Sequence, residues 1–159
     1  MIRLVPALAA VLLALPAAAQ TKRLGTAGGW AVSQVYAGGK FVRCVADTTG
    51  GARNEGLRLS FAADGKRQFI MPGAGTANGT REDAHVVLQP SGRRFGIVMT
   101  QSNPDRLWSA NLLQPFVDVL FESKRMEVTV PARNIKRVYS LGNPDVMTAA
   151  VDGCLTSNQ

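Results

Sequence analysis

One histidine, two cysteines and an aromatic content of 6% leave this 159-residue chain with few groups able to do chemistry. With His85 as the only imidazole and Cys44 and Cys154 as the only thiols, no ligand set has zinc spacing, and no metal site is expected. No Gly-x-Ser-x-Gly elbow is present, and nothing singles out one serine as a nucleophile. Carboxylates are scattered singly, so no acid–base pair is marked. Gly73-Ala74-Gly75 lacks the strand and helix that flank a phosphate-cradling loop, and no cofactor is expected. Aromatic and basic residues interleave only at Phe41-Val42-Arg43 and Arg94-Phe95. Alternation sends both rings toward a core, so nucleic acid is not an expected partner.

Long apolar runs are missing too, with one exception. Arg3 supplies a positive start, Leu4 to Leu15 form an apolar stretch, and Ala17-Ala18-Ala19 fits the small-x-small pattern of a cleavage site. About twelve apolar residues fall short of the roughly 20 that span a bilayer. The segment therefore reads as a signal peptide over residues 1–19, leaving a single β-rich domain over residues 20–159. No transmembrane segment is expected in that domain, and the expected location is the periplasm or the exterior. In an oxidising compartment the even cysteine count favours a disulfide between Cys44 and Cys154, which makes a catalytic thiolate unexpected. Closing a loop of that length is worth roughly 4–5 kcal/mol in the chain-entropy model.

Charge is what the chain has in excess. The net charge is +7, and loss of Arg3 with the leader lowers it by one. The basic residues come as pairs spread along the chain: Lys22-Arg23, Lys66-Arg67, Arg93-Arg94, Lys124-Arg125 and Lys136-Arg137. Most stand at strand starts or turns, where Lys and Arg also guard edges against aggregation. The alternative is a functional basic face, for which Arg93, Arg94, Lys136 and Arg137 are the candidate binding residues. Trp30 and Trp108 each begin or continue an apolar face, which points to burial. Trp108 is nonetheless the candidate aromatic for a ligand groove.

Period-two alternation dominates. It predicts strands over 30–36, 40–46, 57–61, 66–71, 84–89, 94–100, 126–130 and 135–141, with hairpin turns at Gly38-Gly39 and Asp64-Gly65. Residues 48–55 read as a polar loop, and Pro72 to Asp83 as a mobile surface loop. Leu107 to Leu112 fits either strand or helix. From Gln114 the spacing turns helical, with Leu113, Phe116, Val117, Leu120 and Phe121 as the apolar stripe and Asn111 with Gln114 as a capping box. Asn143-Pro144-Asp145 predicts the start of a second helix, running to about Cys154 and followed by a frayed tail. The fold class is mainly antiparallel β, sandwich- or barrel-like, of about eight strands with two short helices in the C-terminal half.

The layout resembles small exported proteobacterial proteins of the invasion-associated locus B type. The residues behind the resemblance are Gly29-Trp30-Ala31-Val32, Cys44, the Leu112-Leu113 helix, the strand Met126 to Val130, and the step Ser140-Leu141-Gly142 into a last helix. The resemblance implies a periplasmic, mostly β, non-enzymatic protein and brings no catalytic residues. The expected function is accordingly non-enzymatic binding, with an envelope protein or an anionic envelope polymer as partner. Two alternatives stand beside it: an inhibitor that plugs a periplasmic hydrolase with the loop Pro72 to Asp83, and a hydrolase centred on His85.

Overall fold

A computed structural model describes residues 19–49, 56–73, 75, 77–103 and 105–158. The signal-peptide expectation falls on residues outside this set except for Ala19, as do the greater part of the 48–55 loop and Gln159. The chain forms one ten-stranded antiparallel sheet, curled into a half-barrel, with two helices. Its strands are β1 (Gln20–Ala27), β2 (Trp30–Ala37), β3 (Lys40–Thr48), β4 (Arg58–Ala62), β5 (Arg67–Pro72), β6 (Arg81–Gln89), β7 (Arg93–Asn103), β8 (Arg106–Ser109), β9 (Arg125–Val130) and β10 (Ile135–Ser140). Helices α1 (Gln114–Phe121) and α2 (Pro144–Thr156) precede β9 and follow β10.

All eight expected strands form, and two more join them. β1 is exposed along nearly its whole length. It carries no alternating apolar face, and it is held by backbone pairing with β2 and by the packing of Ala27 against the core. β8 resolves the ambiguity at Leu107: it inserts between β5 and β7, giving the order β5-β8-β7-β6 of a Greek key. Gly38 and Gly39 take φ of 56° and 76°, the left-handed values that a two-residue hairpin turn demands.

One face of the sheet packs on the helices. Val86, Leu88, Met99, Leu107, Met126, Val128 and Val130 are buried there, with Phe69 and Phe95 against Phe116 of α1 at ring-centroid distances of 6.3 and 5.0 Å. Helix α2 is tied at both ends. At its start, Asn143 N–H donates to Gly28 O at 2.7 Å, and the indole of Trp30 donates to Leu141 O at 2.7 Å. The approach leaves no room for side chains: a β-carbon on Gly28 would stand 2.2 Å from Asn143 O, and one on Gly142 2.3 Å from Gly28 O. Near its end, Cys154 is joined to Cys44 of β3, 110 residues away, with α-carbons 6.3 Å apart.

Three local expectations change. The loop after β5 is shorter than Pro72 to Asp83, because Arg81, Glu82 and Asp83 belong to β6 and pair with Thr100, Met99 and Val98. Its backbone is also anchored, Gly73 N–H donating to Asp105 O and Gly79 N–H to Gln101 O. The capping box does not form. Leu113 takes the N-cap position and is 72% exposed instead of joining the stripe, while Asn111 accepts from the Arg67 N–H. Nor does the tail fray after Cys154: Leu155 and Thr156 continue α2, and Asn158 donates to Cys154 O and accepts from the Tyr36 hydroxyl.

Candidate functional site

The pleat decides what the basic pairs can do. Consecutive residues of a strand point to opposite faces, so Arg93 and Arg94 are separated, as are Lys136 and Arg137. Arg93 takes the helix-side parity, its guanidinium 5.7 Å from the ring centroid of Phe95. Arg94 lines a hollow of about 410 Å³ on the other face with His85, Val87, Gly96 and Thr129. Lys136 stands on that face too, paired with Glu127 at 3.0 Å, while Arg137 shares the parity of Ile135 and Tyr139. Arg94 and Thr100, the ladder neighbour of Trp108, lie six residues apart on β7, roughly 20 Å along the strand. The five candidate binding residues therefore do not make one site. His85 is exposed between Gly96 and Thr129 in the ladder, neither of which supplies a carboxylate or a second imidazole.

Trp108 occupies a different and larger feature. Register places Arg81, Thr100, Trp108, Ile70, Arg58 and Asp47 in one row across six strands. Arg43 lies on β3, four residues from Asp47 and three strands from Trp108. On a flat sheet the α-carbons of Arg43 and Trp108 would sit roughly 19 Å apart. The Arg43 guanidinium nevertheless lies 5.4 Å from the centroid of the Trp108 ring and 3.4 Å from Ser60 Oγ. The sheet must bend toward this face to allow it. That bend explains why Val45, Ser60 and Ile70, on the face away from the helices, are almost fully buried.

The result is an open cleft of about 770 Å³ lined from β3, β4, β5, β8, β7 and β6. Arg43, Lys66 and Arg81 line it, against one carboxylate, Asp64. Outside the cleft three cations have carboxylate partners: Arg58 is bidentate to Asp47 at 2.7 and 3.0 Å, Lys136 pairs with Glu127, and Arg133 pairs with Glu82 and donates to Gln101 Oε1 at 3.0 Å. Glu82 is thus part of a largely buried ion pair. Among the described residues no carboxylate lies within ion-pair distance of Arg43, Lys66 or Arg81. Trp108 Nε1–H is buried without an acceptor.

The sequence marks Trp108 as a groove candidate, whereas Arg43 and Lys66 stand out only in an aromatic–basic run and a basic pair, not as its neighbours. One signal for Arg43 was available: within Lys40–Thr48 it has the parity opposite to Cys44 and Ala46, which face the core. Nothing local could reveal that β8 would come to lie three strands away. A third hollow, of about 360 Å³, lies between β7 and the start of α1 and is mostly apolar. Among the described residues, no three His, Cys, Asp or Glu side chains gather as a metal site, and no helix is long and apolar enough to cross a membrane. No family model, curated protein or solved structure matches the chain.

Proposed function

We propose that the chain is an exported, periplasmic binding protein that works without catalysis, and that the cleft around Trp108 takes an anionic polymer of the cell envelope. One observation carries this reading: three cations line a concave surface without carboxylate partners. A cleft focuses the field of cations that lack a nearby counter-charge on an incoming anion. The leader-like first 19 residues and the layout shared with exported proteins of the invasion-associated locus B type support the location. The Cys44–Cys154 pair is compatible with it.

The test is retention on immobilised lipopolysaccharide and on heparin resin across a salt gradient. Binding through these cations should weaken steeply between about 50 and 200 mM salt, because screening shortens the reach of the charges. Replacing Arg43, Lys66 and Arg81 together by Gln should abolish retention. Retention that is absent or independent of salt would remove the polymer reading.

A further inference from the structure

We infer that the cleft recognises a sugar residue bearing an oxyanion, a uronate carboxylate or a phosphate ester, with Arg43 as the group that holds the anion and Arg81 as a further cation on the opposite wall of the cleft. The inference rests on the proposed binding role of the cleft and names the ligand class. Three features converge on it. The Arg43 guanidinium is held in place by the indole beneath it and by Ser60 Oγ, so little side-chain freedom is lost on binding. Its planar fork retains donors free of carboxylate, in the geometry that accepts two oxygens of a carboxylate or phosphate. Between Arg43 and Arg81, the Thr100 and Ser102 side chains line the cleft and bring uncharged hydroxyls suited to sugar hydroxyls.

The same geometry disfavours the other polyanions and peptides. A nucleobase needs an open aromatic face; one face of the cleft's indole already carries a guanidinium, and the other lining ring, Phe41, packs edge-to-face against Tyr36. A peptide added as a strand needs a free sheet edge. All six strands that line the cleft have neighbours on both sides, and the edges of the sheet are β1 and β10. A ligand here must be held by side chains. A bare inorganic anion would leave most of the 770 Å³ empty.

The test uses the two-tryptophan protein directly. Trp30 is 1% exposed and hydrogen-bonded, so a fluorescence change on ligand addition reports Trp108, and Trp108→Phe should erase it. Probes are digalacturonate, glucose 1-phosphate, maltose and inorganic phosphate, at matched ionic strength, with heats of binding measured in parallel. One of the two charged sugars should bind at least about tenfold more tightly than maltose or inorganic phosphate, a difference of about 1.4 kcal/mol. Which one does so tells the uronate from the phosphate source. Arg43→Lys, which keeps charge but loses the fork, and the exposed Arg81→Gln should each weaken it about tenfold with thermal melting unchanged. Equal affinity for maltose or inorganic phosphate overturns the inference, as does unaltered binding by both folded variants. If the protein is retained by the polymer resins but no charged sugar binds, the ligand class is wrong and the binding role stands. Absence of retention on every resin removes both.

Discussion

The corner where the β1–β2 turn meets the start of α2 and the cleft on the far face of the sheet are each built around a tryptophan. At the corner, Trp30 is buried, its N–H is satisfied by Leu141 O, and Gly28 and Gly142 touch too closely to admit a β-carbon. In the cleft, Trp108 is half-buried, its N–H has no acceptor, and a cation lies over its ring. One indole completes a contact between distant parts of the chain. The other has an N–H without an acceptor and sits among cations that lack carboxylate partners. Saturated interactions stabilise a fold, whereas cations that line an open cleft without a counter-charge are what a ligand can complete.

The sharpest way to break the comparison is to truncate both rings. Trp30→Ala should cost about 4 kcal/mol, from lost burial plus an unpaired Leu141 carbonyl, and urea denaturation will measure it. Trp108→Ala should cost much less. Next in size, replacing Cys44 and Cys154 together by Ser should cost about 3 kcal/mol and lower the melting temperature by roughly 10 °C, with the cleft's binding retained at low temperature.

Tyr139, on the helix side, extends the comparison to pH. Burial pushes its phenol up from 10.0 to about 12, against the opposing pull of the Arg137 and Arg106 charges. The folded state then holds the proton longer than the unfolded chain does. The stability linked to it is fully present below pH 10 and is lost as pH rises toward 12, amounting to about 2–3 kcal/mol. Tyr139→Phe should remove that alkaline loss, read as the difference between variant and wild-type urea midpoints at pH 8 and pH 11.5.

A finer contrast comes from Phe substitutions. Trp30→Phe strips the donor from a buried carbonyl and should cost about 1–3 kcal/mol, while Trp108→Phe removes an N–H that has no acceptor and should change stability by under about 0.5 kcal/mol. The smallest effect belongs to the exposed Lys136–Glu127 pair, whose double-mutant coupling should not exceed about 0.5 kcal/mol.

Alternation made eight strands legible because a half-buried strand writes its burial into every second residue, as Leu57, Leu59 and Phe61 do. β1 escaped because no such pattern exists in an exposed edge strand, and β8 because four residues are too few to separate strand from helix. The Asn143-Pro144-Asp145 start of α2 was legible from local backbone preferences. The Asn111–Gln114 capping box was not, because a tertiary partner, the Arg67 N–H, claimed the Asn111 side chain. The basic pairs were visible, but their division between faces required knowing that they lie within strands. Of the cleft, Trp108 alone reads from sequence as a groove residue; Arg43 and Lys66 stand out only as members of a Phe-Val-Arg run and a basic pair.

By itself, the sequence determined the antiparallel β class, most strand positions, the hairpin turns and the pairing of Cys44 with Cys154. These follow from periodicity, from glycine conformation and from the count of thiols, all of which are local or compositional. Tertiary structure alone decided that β8 pairs with β5 and that the sheet bends until Arg43 meets Trp108. It also decided which cations keep a carboxylate partner. Those outcomes depend on long-range register and curvature, where the contacts of one residue are set by chain dozens of positions away.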